Sequence, residues 1–145
     1  MSVLLDVNVL VALFDGVHIH HEAAHEWFAH HRKGGWASCP ITENGMIRVI
    51  SNPAYPGRQT TVRDAIEGLA RFRKSGNHTF WTDSVSLCDN DVFHLNQIGG
   101  HRQLTDVYLL ALAVQNHGCL ATFDRRIPHS AVKEGNRHIE IIESS

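Results

Sequence analysis

A length of 145 residues fits one domain, residues 1–145, with a sizeable core. Composition is that of an ordinary soluble globular protein: 43% hydrophobic, 19% charged, and a net charge of -2 with histidine neutral, which does not by itself advertise nucleic-acid binding. No stretch approaches the roughly 18 apolar residues that cross a bilayer, and no basic segment precedes an apolar one at the amino terminus, so a cytoplasmic protein with no membrane association is expected.

Apolar runs of strand length alternate with longer helical patterns, the signature of an α/β fold with a central, mainly parallel sheet of about five strands flanked by helices. The first strand is expected at residues 2–6, followed by a short helix at 8–14 that Asn8 is placed to cap. A helix at 20–32 sets Ala24, Trp27, Phe28 and His31 on one face. A strand at 36–39 leads into a third helix that begins at Pro40 and is ended by Asn52-Pro53. The fourth helix starts at Thr60 or Thr61, carries Val62, Ile66, Leu69, Ala70 and Phe72 as its apolar face, and stops at Gly76. After a strand at 79–81, a short helix near 91–97 and a loop at Gly99-Gly100 are expected. The fifth long helix, from Thr105 to about Asn116, has eight consecutive apolar residues from Val107 to Val114, as a centrally buried helix requires. Strands at 119–123 and 138–142 complete the set, without repeats or linkers.

Two of these strands run straight into an aspartate, Asp6 after Val3-Leu4-Leu5 and Asp124 after Thr122-Phe123. Two further acids open helices: Glu43 behind Pro40, and Asp106 behind Thr105. In parallel α/β sheets, ligands bind beyond the carboxyl ends of the strands, where these four acids gather. Taken singly, each reads more readily as a helix cap. Together they would repel one another unless a divalent cation sat among them. Magnesium suits such a group because it takes oxygen ligands and keeps several waters, leaving room to grip a phosphate. Hydrolysis of a nucleic-acid backbone is the chemistry these parts fit best. Only Lys33, Lys74 and Lys133 among the 13 basic residues are lysines, and arginine's planar fork suits phosphate. Arg48, Arg102, Arg125 and Arg126, close to the acids in sequence, are candidates to hold nucleic-acid phosphates.

Four ordered pieces carry a resemblance. They are Leu4-Leu5-Asp6-Val7-Asn8-Val9-Leu10; Thr42-Glu43-Asn44-Gly45; Thr105-Asp106 with Leu109, Ala111 and Ala113; and Thr122-Phe123-Asp124. Spanning essentially the whole chain, they resemble PIN-domain ribonucleases, and within these the VapC-type toxins of toxin–antitoxin pairs. The resemblance implies a PIN-like three-layer fold and a magnesium-dependent endoribonuclease, with manganese as a possible substitute. Asp6 and Asp106 would be the main metal ligands. Glu43 would complete the acidic cluster, through water or by positioning the attacking water, and Asp124 would add to a ligand shell or a second cation site. Asn8 and Thr122 match supporting polar positions. A homodimer and a cognate antitoxin laid over the acidic groove are implied as well, with loops at 52–60 and 82–103 choosing the RNA.

Other readings compete. His21-Glu22-Ala23-Ala24-His25 is a literal HExxH followed by His31, as in zinc proteases, but Phe28 stands where that motif needs glycine, and only 20 residues precede it. Asp6-Val7-Asn8 resembles the start of a haloacid-dehalogenase phosphatase motif, yet its second acid is replaced by asparagine. In a third alternative the acids only cap helices, and the chain is a non-enzymatic binding module. Asp83, Asp89 and Asp91 read as turn and cap residues that could assist the later motifs. Cys39, Cys88 and Cys119, odd in number and far apart, look like small buried hydrophobes in a reducing compartment.

Overall fold

The computed structural model describes residues 1–143. Five strands, β1 (Val3–Leu5), β2 (Trp36–Ser38), β3 (His78–Phe80), β4 (Cys119–Thr122) and β5 (Ile139–Ile141), form one sheet in the order β3-β2-β1-β4-β5. Every neighbouring pair is parallel, so the expected mainly parallel sheet is wholly so. Five helices connect them: α1 (Val7–Phe14), α2 (His21–His31), α3 (Pro40–Ser51), α4 (Val62–Phe72) and α5 (Leu104–Gln115).

Successive strand residues point to opposite faces, and the central strand β1 is apolar and buried on both. Val3 and Leu5 join Leu10 of α1, Phe28 of α2, Met46 and Ile50 of α3, and Leu69 of α4 in one core. Leu4 and Leu120 face the other way, into a second core built on α5. These two cores make the three layers. Each fully buried leucine contributes about 1.5–3 kcal/mol relative to an exposed one, so both faces are strongly specified. The apolar run in α5 is buried from Val107 through Ala113, because Phe93, Ile127 and Val132 from loops cover the side of the helix turned away from the sheet.

Three local expectations are corrected. Residues 91–97 form no helix: Phe93 makes an isolated antiparallel bridge to Val132, and a single 3₁₀ turn follows at Leu95–Gln97. That segment carries the one large side chain, Phe93, that closes the α5 core, and tertiary burial overrides its local pattern. Helix α4 ends at Phe72, ahead of Gly76; the glycine, at φ 65°, completes the turn into β3, where a Cβ would stand 2.8 Å from the Arg32 carbonyl oxygen. The cap of α1 is Asp6, whose side chain accepts from the Val7 N–H, and not Asn8.

The strand order matters most. From β1 the chain steps outward to β2 and β3, then returns to the other side of β1 for β4 and β5, so its direction reverses between β1 and β4. A crevice opens at such a reversal, beyond the carboxyl ends of the two strands. Leu5 pairs with Ala121, which sets Asp6 beside Thr122. Among the described residues, no helix is long and apolar enough to cross a membrane.

Candidate functional site

Asp6 ends β1 and caps α1 at once. Its backbone N–H pairs with the Ala121 carbonyl at 3.0 Å, while its Oδ1 accepts from the Val7 N–H at 2.7 Å. Its Oδ2 accepts from the Thr122 hydroxyl across the strand boundary, also at 2.7 Å. That hydroxyl in turn accepts from the Asn8 amide at 3.3 Å and from the Asp124 N–H at 3.1 Å, so one oxygen ties together the ends of β1 and β4. Thr122 is fully buried and Asp6 only 5% exposed. Thr122 thus bonds Asp6 directly, whereas Asn8 reaches it only through Thr122.

Asp106 stands in the first turn of α5. Burial pushes its carboxyl up to about 6, and the charges of Asp6 and Asp124 push the same way, with Arg126 opposing. Asp6 is raised too, first by burial and further by Asp124, although the bonds from Thr122 and Val7 hold its carboxylate form. Asp106 feels the charges of both Asp6 and Asp124, and Asp6 feels that of Asp124, so three carboxylates share the crevice and resist being charged together. Asp124 is partly held by Arg126, whose backbone N–H and Nε lie 2.8 and 3.3 Å from its Oδ1.

Glu43 is positioned differently. It lies in the first turn of α3 beyond the end of β2, and its Oε2 accepts from the Ser38 hydroxyl at 2.6 Å and pairs with Arg73 Nη1 at 3.4 Å. The Ser38 oxygen also lies 2.7 Å from His78 Nε2. Since the serine proton goes to Glu43, His78 must donate here, with its proton on Nε2. Burial and the Arg73 charge push His78 down to about 4, which fits a neutral ring. The guanidinium of Arg73 rests over the Phe80 ring, 5.2 Å from its centroid. Glu43 is therefore latched from β2, β3 and the end of α4, and its charge is not among those that shift Asp6 or Asp106. The four expected acids divide into three at the β1/β4 crevice and one beside it. Ser38, His78 and Arg73 went unnoticed in the sequence. Ser38 is polar in an otherwise apolar buried strand, a usable signal, but nothing local ties His78 to it across 40 positions.

Among the described residues, no three histidine, cysteine or acidic side chains converge as a ready-made metal cage. The chemistry of the donors fits a hard cation all the same. They are carboxylate oxygens, with Asp106 raised first by burial and then by its acidic neighbours, and magnesium needs only one or two of them beside its waters and a phosphate.

The remaining candidates sort plainly. Arg48, Arg102, Arg125 and Arg126 are all exposed. Arg48 lines a groove with Val7 and Thr105, next to Asp6 and Asp106 in the chain, and Arg125 and Arg126 line another with Asn8 and Asp124. Arg102 lies in the 3₁₀ turn that runs into α5. Asp83, Asp89 and Asp91 are exposed, and Asp89 spends its carboxylate on the Asp91 N–H at 3.0 Å, as a turn residue does. In the HExxH stretch, His21 Nδ1 bonds the Ala12 carbonyl at 2.7 Å, while His31 stacks on Trp27 and faces Glu140 at 3.5 Å. The third histidine a zinc site needs is thus engaged elsewhere.

Comparison with known proteins finds a family and several relatives. The PIN domain family matches residues 3–133. Ribonuclease VapC44 of Mycobacterium tuberculosis is 47% identical over 132 residues, covering 91% of this chain and 92% of that protein. Ribonuclease VapC39 of the same organism is 43% identical, covering 90% and 94%, and ribonuclease VapC38 is 42% identical, covering 96% of each.

Proposed function

Because this chain belongs to the PIN domain family, we propose that it is a metal-dependent endoribonuclease, one PIN domain over residues 1–145, and the toxin of a type II toxin–antitoxin pair. The observation that carries the reading is the trio of Asp6, Asp106 and Asp124 at the reversal of the sheet, with Asp106 pushed up to about 6. Relatives at 42–47% identity that bear the name ribonuclease VapC supply the substrate class.

Asp6 and Asp106 would hold magnesium, or manganese in its place, and Asp124 would add to the shell or to a second cation. When bound, such an ion neutralises charge on a phosphodiester and acidifies water. Thr122, itself bonded by Asn8, keeps Asp6 aimed and favours its carboxylate form. Glu43, held by Ser38, would accept a hydrogen bond from the attacking water and orient it. The water oxygen bonds to phosphorus, the bond to the 3′ oxygen breaks, and that oxygen takes a proton, leaving a 5′-phosphate and a 3′-hydroxyl. Arg48, Arg102, Arg125 and Arg126, exposed around the crevice, would grip flanking phosphates.

The reading also takes the protein as cytoplasmic, in keeping with its unpaired cysteines, and as a homodimer that an antitoxin covers. Exposed Val49, Val62 and Ile66 offer apolar surface for such contacts.

The test is cleavage of single-stranded RNA by purified protein, with magnesium or manganese and with chelator. Asp6→Asn and Asp106→Asn, shown to be folded by circular dichroism, are expected to lose about 100-fold or more in rate. A wild type inactive with both metals, or variants as active as wild type, overturns the proposal. Induction in cells with and without the neighbouring small protein tests the toxin assignment, arrest relieved by co-expression being the expected result.

A further inference from the structure

The histidine-rich stretch after α1 has no part in the chemistry above, yet it forms one wall of an open groove of about 740 Å³ beside Asp124. Phe123, between the site residues Thr122 and Asp124, lines the same groove, which reaches Asn8 and so opens directly onto the carboxylate crevice. His20 lies flat against Phe123, with ring centroids 4.8 Å apart and planes 21° apart. His18 accepts the His20 N–H on Nδ1 at 3.0 Å, which leaves its proton on Nε2 as a donor. Burial lowers the pKa of His18, favouring that neutral form. His20 Nδ1 is buried with no hydrogen-bond partner among the described residues. Ile19 is 89% exposed on the same wall, and the side chains of Arg125 and Arg126 are 63% and 90% exposed at the rim.

An aromatic platform, a ring N–H donor and a cationic rim are what a single-stranded nucleic acid meets in its binding clefts, where bases stack and phosphates are held electrostatically. We propose that this groove seats one unpaired base of the RNA, next to the scissile phosphate, on the His20–Phe123 platform, with Arg125 and Arg126 holding the adjoining phosphate. The proposal rests on the ribonuclease reading and deepens it, making the His18–His20 segment a determinant of where the strand is cut. A protein segment is the competing occupant. The rim favours RNA, because it offers cations beside a donor edge at the mouth of the reacting site.

The experiment uses an oligoribonucleotide that the wild type cuts, found in a randomised single-stranded pool, and copies of it with an abasic residue on either side of the cut. Wild type is expected to lose about 10-fold in kcat/KM when one of the two neighbouring bases is removed, in line with the stacking of one base. His20→Ala is expected to lose a similar factor on the intact strand and little more on the abasic one, since residue and base act through the same contact. Phe123→Leu is the second variant, and Arg125→Gln is expected to raise KM and flatten the salt dependence. Indifference of wild type to both abasic substitutions, or an equal loss by His20→Ala on every strand, overturns the groove proposal while the ribonuclease reading stands. If His20→Ala instead weakens capture of the antitoxin and leaves all strands unaffected, the groove belongs to a protein and the proposal fails. A wild type that cuts no member of the pool overturns both readings, and Asp6→Asn, indistinguishable from it, identifies that case.

Discussion

At the scale of single residues, the crevice places charge where folding alone would not put it. Asp106 has a carboxyl raised to about 6 from an ordinary 3.8, so the folded protein holds a proton that the unfolded chain releases. Its contribution to stability is fully present below 3.8 and is lost as pH rises through about 6. Asp106→Asn should therefore stabilise the protein at pH 7.5 by about 1–2 kcal/mol while abolishing cleavage, which calorimetry and a cleavage assay measure together. His78 works in the opposite sense. Its pKa of about 4 lies below the unfolded value of 6.5, so the stability it confers is complete above 6.5 and lost as pH falls through about 4. The gap in unfolding midpoint between wild type and His78→Gln should accordingly narrow from pH 7 to pH 4. Ser38→Ala removes the 2.6 Å donor that aims Glu43 and is expected to lower kcat roughly 10-fold with little change in KM. Kinetics that resemble wild type would show that Glu43 needs no such latch.

Elements decide how sharply those residues are held. Helices α1 and α3 cross closely at Gly45, where an added Cβ would stand 2.7 Å from Val7 Cγ2. Gly45→Val should separate the start of α1 from α3, at a cost of about 1–3 kcal/mol by denaturant unfolding, and should reduce activity because Asp6 caps that same helix start. Most elements were legible in the sequence, since the central strands and long helices have an apolar period the core demands: Val3 and Leu5 to one face and Leu4 to the other, or the unbroken run in α5. The stretch at 91–97 was not. Its conformation follows from where Phe93 must sit over α5 and from a bridge to Val132, 39 positions away, which no local window contains.

In the whole molecule, the sheet order brings remote acids to one place. If the crevice is a cation site, magnesium or manganese should raise the unfolding temperature of wild type in proportion to the logarithm of its concentration, and leave that of Asp106→Asn nearly unchanged. The family, the five parallel strands and the four ordered acids came from the sequence by itself, because strand ends, helix starts and apolar periods are local signals. Only the tertiary structure decided how the acids divide. Parallel pairing of β1 with β4 sets Asp6 against Thr122, with Asp106 and Asp124 near enough to share its field. Pairing of β2 with β3 brings His78 to Ser38 and draws Glu43 into a separate latch with Arg73. The register between strands distant in the chain fixes both arrangements, and hydrogen-bond register is a property of the assembled sheet that no single strand encodes.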